Sequence, residues 1–224
     1  MKKYAVIVAG GTGLRMGSVL PKQFLLINGK PVLYYTIQAF LKAYEDIQII
    51  LVLPIDFIEN GNEIISAYFN SEKIKITTGG DTRFQSVKNG LQLIEEDSII
   101  FVHDGVRCVT SIDLIKRCYE EALVTGTAIP VVKSRDSIRV IDEEGVNSLD
   151  RSKVMLVQTP QTFHSKILLP AFQIDYKSRF TDEATVVEAY GIKLTMVDGD
   201  EENIKITHLM DLWFAEQILL KREG

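Results

Sequence analysis

Four short apolar, β-rich runs, at residues 4–8, 47–53, 74–78 and 98–102, punctuate the first half of the chain, and helix-patterned segments at 32–44, 55–69 and 82–94 separate them. Runs this short and this apolar fit strands buried on both faces, the usual place of parallel strands. Strands that alternate with helices at this spacing imply right-handed crossovers. The expected fold is α/β: a three-layer, Rossmann-like sandwich around a mostly parallel twisted sheet. Ligands of such sheets sit outside the carboxyl ends of the strands. The polar segments that follow Val8, Thr78 and Val102 all fall at that edge.

The first of them is the most informative. It runs Ala9-Gly-Gly-Thr-Gly-Leu-Arg15-Met and closes on Pro21-Lys22-Gln23. Gly10, Gly11 and Gly13 carry no Cβ, so successive backbone N–H groups can close around a phosphate. Arg15 and Lys22 add two cations of the kind that stabilise charge on a phosphoryl group in transfer. A dinucleotide fingerprint starting at Gly11 would need its third glycine at Met16, and a Walker loop would need a closing G-K-[S/T]. A glycine turn of purely structural meaning accounts for the glycines but gives no reason for Arg15 and Pro21-Lys22-Gln23.

Gly79-Gly80-Asp81-Thr82-Arg83-Phe84-Gln85-Ser86 joins a strand to a helix, so its amides and the helix N-terminus can face an anion or a nucleotide base edge. By itself it reads equally well as a glycine turn with an Asp/Thr helix cap. In Val102-His103-Asp104-Gly105-Val106-Arg107, Asp104 suits Mg²⁺, a hard ion that takes carboxylate and phosphate oxygens, and Arg107 suits a substrate phosphate. The structural alternative makes Asp104 a helix cap near Ser111 or a partner of Arg107. His103 reads as structure, since His164 and His208 form no spaced cluster with it. Later in the chain Asp150-Arg151, Gln158-Thr-Pro-Gln-Thr-Phe163, Thr181-Asp-Glu183 and Asn203-Ile-Lys205-Ile-Thr207 are individually weak signals. Arg151 and Lys205 matter most for an anionic substrate, and Asp182 reads as a cap. The acidic run at 198–202 reads as a solvated turn. Tyr34, Tyr35, Trp213 and Phe214 read as core or helix-face residues.

After Val132 the rhythm changes. Residues 137–141 and 146–149 alternate around Asp142-Glu-Glu-Gly145, which predicts a hairpin inside an arm at 133–153. An isolated hairpin is marginal in water, so the arm is expected to pack on a second subunit. A strand at 155–158, a helix after His164, a helix at 182–190, a strand at 193–197 and a helix at 208–221 follow, with no internal repeat or linker. The whole chain, 1–224, is therefore read as one domain carrying the arm. A net charge of -5 over 224 residues argues against a nucleic-acid-coating protein. Cys108 and Cys118 make no metal-spaced pair, and no apolar run approaches the ~20 residues of a membrane span. A cytoplasmic protein with reduced thiols is expected.

In order along the chain, G-G-x-G-x-R-M with P-K-Q, G-G-x-x-R with a following Ser, V-H-D-x-x-R, D-S-I, D-R, Q-T-P-Q-x-F, T-D-E-A-x-V-V-E and N-I-K-I-T resemble the methylerythritol phosphate cytidylyltransferase family of the non-mevalonate isoprenoid pathway. The resemblance implies a nucleotidyltransferase fold, CTP as substrate, dependence on Mg²⁺ and a homodimer formed through the β-arm. Ala9, Gly10, Gly11, Gly80, Asp81 and Ser86 fall where that family holds the nucleotide, with Gly105 beside them. Arg15 and Lys22 take its transition-state-stabilising positions and Asp104 its metal position. Arg107 is placed at the substrate, and Arg151 and Lys205 where the sugar-alcohol phosphate is aligned. Ser137 stands where the family commonly has Thr in the arm, and Cys108 where it usually has Pro. Ribitol phosphate cytidylyltransferases look much the same in the first loop. Asp150-Arg151-Ser and Thr181-Asp-Glu-Ala-Thr-Val-Val-Glu188 favour methylerythritol phosphate. A noncatalytic nucleotide-binding module is disfavoured by the retained Arg15, Lys22 and Asp104.

Overall fold

The computed structural model describes residues 1–10, 20–143 and 145–223. The first apolar run is β1 (Lys2–Val8). A 3₁₀ turn, Lys22–Phe24, then leads through the small hairpin β2 (Leu26–Ile27) and β3 (Lys30–Pro31) into α1 (Val32–Ala43). β4 (Ile47–Leu53), α2 (Ile58–Tyr68), β5 (Ile74–Thr78), α3 (Arg83–Leu91), β6 (Ser98–Asp104) and α4 (Ile112–Thr125) complete the first half. The second half runs β7 (Thr127–Lys133), β8 (Ile138–Asp142), β9 (Gly145–Leu149), β10 (Met155–Val157), β11 (Gln161–His164), α5 (Ser165–Ala171), α6 (Glu183–Ala189), β12 (Met196–Asp198) and α7 (Leu209–Glu223).

The main sheet has the order β10-β7-β11-β6-β1-β4-β5, with β12 beside β7. β1 is parallel to both β4 and β6, whereas β11 lies antiparallel between β6 and β7. From β1 the chain steps out to β4 and β5, then crosses back to β6 on the other side of β1. The strand order therefore reverses at the β1–β6 seam, where an open α/β sheet forms its ligand crevice. Val8 and Asp104, the last residues of these two strands, are partners across that seam. Gly105 N–H continues the ladder to Val8 O at 2.8 Å. A Cβ on Gly105 would lie 2.7 Å from that of Ala9, so a glycine is needed for the two strand ends to stay this close.

Both faces of the sheet are covered, which is why the central strands carry almost no polar residues. Ile7, Ile49, Leu51 and Phe101 pack against Leu33, Ile37 and Phe40 of α1 and Leu114, Ile115 and Cys118 of α4. Val6, Val52, Ile100 and Val102 meet Val87 and Leu91 of α3, Leu168 of α5 and Val187 of α6 on the other face.

Several expectations are corrected. The helix expected over 55–69 begins as a 3₁₀ turn, Ile55–Phe57, because Pro54 is extended ahead of it. The strand expected over 193–197 pairs only from Met196, since Ile192 and Leu194 turn into the second core. Of the two positions open to Trp213 and Phe214, the helix face is the one found: α7 packs with Leu212, Ala215, Ile218 and Leu219, which leaves Trp213 53% exposed on the outer face. The acidic run is no loose solvated turn. Asp200 exchanges two hydrogen bonds with Gln158, and Arg222 pairs with Asp200 and Glu202. The arm is present as the pair β8–β9, a sheet of its own.

Candidate active site

A cavity of about 340 Å³ opens at the β1–β6 switch. Four segments wall it, each at or beyond the carboxyl end of a strand: those that follow β1, β5, β6 and β12. The β1 loop contributes Ala9 and Gly10, followed by Lys22 and Gln23 from the 3₁₀ turn. Gln23, nearly fully buried, donates from Nε2 to Ala9 O at 2.7 Å and so ties the turn that bears Lys22 to the end of β1. Gly11 and Arg15 lie outside the described residues.

The β5–α3 loop forms the opposite wall with Gly80, Asp81, Thr82, Arg83 and Ser86. Thr82 caps α3 by accepting from Gln85 N at 3.1 Å. Ser86 Oγ donates to Thr82 O at 2.9 Å and accepts from Gly80 N–H at 3.1 Å, which fixes the glycine pair against the helix. The expected cap and the expected pocket wall therefore coexist in one loop.

Asp104 is the floor, 8% exposed. Its Oδ1 accepts from Arg83 Nε and Nη2 at 3.4 and 3.2 Å, and its Oδ2 lies 2.9 Å from Lys205 Nζ and 3.7 Å from Arg107 Nε. Burial alone would raise the Asp104 pKa, but Arg83, Lys205 and Arg107 overcome it and hold the carboxyl well below the usual carboxylate range. The group is a fixed anion. It does not cap the next helix, because Ser111 does so through Leu114 N.

His103 faces away from the cavity and is structural. Its Nε2 donates to Arg107 O at 3.1 Å, a carbonyl that can only accept, so Nδ1 accepts from Thr159 Oγ1 at 3.0 Å. The same Oγ1 accepts from Asp104 N–H at 3.1 Å. Burial pulls the imidazole pKa down to about 4, which keeps it neutral.

Of the residues expected at the site, Ala9, Gly10, Lys22, Gly80, Asp81, Ser86, Asp104 and Lys205 line the one cavity. Gly105 stands behind the wall, where it lets β6 approach β1. Arg107 also stands behind it, and its Nη1 donates to Asn203 O at 2.7 Å. Arg151 lies at the base of the arm, donating from Nη1 to Arg135 O at 2.8 Å, and neither it nor Ser137 lines the cavity within this one chain. Two residues given no role in the sequence do belong here. Glu183, 1% exposed, ion-pairs with Arg83, whose other partner is Asp104. The signal was a charged residue heading the apolar helix pattern E-A-T-V-V, and nothing local named its partner.

The family model for 2-C-methyl-D-erythritol 4-phosphate cytidylyltransferase matches residues 4–221. The chain belongs to this cytidylyltransferase family. It is 46% identical over 219 residues to the 2-C-methyl-D-erythritol 4-phosphate cytidylyltransferase of Bacteroides fragilis, covering 98% of this chain and 100% of that one. The Porphyromonas gingivalis protein of the same name is 41% identical, covering 97% and 98%. Among solved structures, the cytidylyltransferase of Francisella tularensis superposes with a TM-score of 0.80 at 32% identity, over 97% of this chain and 100% of that one. The 4-diphosphocytidyl-2C-methyl-D-erythritol synthase of Anaerococcus prevotii gives 0.83 at 28% identity, over 98% of each. The α/β cytidylyltransferase fold expected from the sequence is thus the fold found. The family match also sets aside the ribitol phosphate alternative.

Proposed function

We propose that this chain transfers the cytidylyl group of CTP to 2-C-methyl-D-erythritol 4-phosphate and releases pyrophosphate. The observation that carries the reading is the single cavity in which both glycine loops, Lys22, Asp104 and Lys205 meet at the sheet's switch point. In the reaction an oxygen of the acceptor's phosphate monoester forms a bond to the α-phosphorus of CTP as the bond to the β-phosphate breaks. The attacking oxygen is already anionic near neutral pH, so no general base is needed. The described site has none: His103 is buried and committed to two hydrogen bonds. The difficulty is charge, since two polyanions must meet and the departing pyrophosphate gains more.

Positive side chains meet that difficulty. Lys22, with Arg15 of the same loop, stabilises the oxygens around the α-phosphorus, while Ala9, Gly10, Gly11, Gly80, Asp81 and Ser86 hold the nucleotide. Lys205, with Arg107, Arg151 and Ser137, aligns the acceptor phosphate. For its phosphate, Lys205 must let go of Asp104 Oδ2, now 2.9 Å away, and its half-exposed side chain is free to swing.

A divalent cation fits this donor set. Among the described residues no group of three His, Cys, Asp or Glu side chains converges. Asp104 offers an ionised, hard oxygen on the floor of the cavity, which suits Mg²⁺, an ion that binds through one or two carboxylates plus phosphate oxygens and retained waters. Bound there, it would neutralise triphosphate charge.

The chain works as one domain, paired with a second copy through the arm, in the cytoplasm, where buried Cys108 and Cys118 stay reduced. No helix among the described residues is long and apolar enough to cross a membrane.

Pyrophosphate release from CTP, measured with methylerythritol phosphate and with ribitol phosphate as acceptors, tests the reading. Release is expected with the first only. In Lys22→Ala the rate is expected to fall about a hundredfold or more, as for loss of one preorganised donor. A folded variant with near-normal turnover would falsify the role given to Lys22.

A further inference from the structure

The Q-T-P-Q and T-D-E segments, weak signals in the sequence, converge on one side chain beneath the cavity. Gln161, on β11 next to β6, donates from Nε2 to Asp182 Oδ2 and accepts from Ala184 N–H through Oε1, both at 2.8 Å. Asp182 in turn caps α6, with Thr185 completing a capping box. Glu183 sits between these anchored residues, so its buried carboxylate has little freedom. It takes the two-nitrogen fork of Arg83: Nη1 bonds Oε1 and Nη2 lies 3.1 Å from Oε2.

That choice matters for Asp104. An arginine fork beside a carboxylate ordinarily takes both of its oxygens. Here the fork belongs to Glu183, and Arg83 meets Asp104 only through its Nε side, both contacts falling on Oδ1. The other oxygen faces Lys205 Nζ at 2.9 Å and Arg107 Nε at 3.7 Å. Resting on the function proposed above, we propose that Glu183 and Arg83 are a positioning pair for Asp104: Glu183 fixes the guanidinium, the guanidinium fixes Oδ1, and Oδ2 is left to Lys205, whose place a divalent cation would take, with Arg107 Nε farther off at 3.7 Å. Without Glu183 the Arg83 fork turns onto both oxygens of Asp104 and competes with the cation. Glu183 stands behind the cavity lining and Arg83 forms part of it.

The test compares wild type, Glu183→Gln, and the double variant Arg83→Gln/Glu183→Gln, which leaves no unpaired buried charge and so serves even if the single variant fails to fold. Calorimetric titration of CTP, with no acceptor present and hence no turnover, is done with and without Mg²⁺. In Glu183→Gln the gain in CTP affinity that Mg²⁺ confers is expected to shrink about tenfold, and the Mg²⁺ concentration for half-maximal pyrophosphate release to rise about tenfold, as for loss of an outer partner of a metal ligand. Turnover at saturating Mg²⁺ is expected to stay within about threefold of wild type, which a general loss of folded enzyme would not allow. The double variant is expected to lose the Mg²⁺ gain as well. Unchanged Mg²⁺ dependence in both variants, with or without lowered stability, overturns the pair. Wild-type enzyme that binds CTP yet releases no pyrophosphate overturns the function instead, and leaves the binding comparison to judge the pair separately.

Discussion

Cys108 and Cys118 show how a residue's chemistry is set by its surroundings. Both are buried and unpaired, and burial pushes each thiol up to about 12. The thiolate is the reactive form, so neither sulfur is poised to react near neutral pH. Native protein is expected to resist iodoacetamide near pH 8, and urea-unfolded protein to take up two labels, as mass spectrometry of the intact chain will show. Rapid labelling of either thiol in the native state would contradict the packing described. At this scale the sequence was informative where a residue's meaning is local. Lys22 and Asp104 were legible because each sits in a motif at a strand's carboxyl end. The pairing of Arg83 with Glu183 was not, because 100 residues separate them and only the antiparallel placement of β11, with α6 hung from it, brings them together.

At the scale of elements, α3 is the most sensitive part of the pocket wall, because it carries Arg83 and Ser86 and lies close on the sheet. Gly90 permits that approach. A Cβ there would stand 2.7 Å from Val6 Cγ1 and 3.0 Å from Val52 Cγ2. Alanine favours a helix over glycine by about 1 kcal/mol, but overpacking a core contact costs about 1–3 kcal/mol, so Gly90→Ala is expected to destabilise the protein on balance. Urea denaturation measures this. A stabilised variant would mean that α3 can ride outward freely. The long buried strands and the amphipathic helices were readable from periodicity, and their boundaries fall within a few residues of expectation. β11 and the β2–β3 pair were not, and β12 was expected to begin three residues too early. They span two to four residues each, and their pairing depends on partners distant in the chain rather than on any repeat of their own.

At the scale of the whole molecule, the arm stands without cover among the described residues. In the arm Ile141 faces Val146 across one side of the hairpin, and Ile138 faces Leu149 across the other. A two-stranded hairpin that is apolar on both sides has no core within its own chain. Ile141 is 81% exposed and Val146 60% exposed. Two strands alone are marginal in water, so a partner surface is expected to supply the burial. If that partner is a second copy, two charges at the centre of one arm face will meet a buried apolar surface, and burying them unpaired is costly. Ile141→Lys/Val146→Lys is therefore expected to sediment as a monomer at concentrations where the wild type sediments as a dimer, with little change in far-UV circular dichroism, since the main sheet does not depend on the arm. Pyrophosphate release should fall with dissociation, because Ser137 and Arg151, expected at the acceptor phosphate, are not among the described residues that line the cavity of their own chain. A wild type that is monomeric at assay concentration and fully active would show instead that both residues serve, if they serve at all, from an arm that folds back on its own subunit.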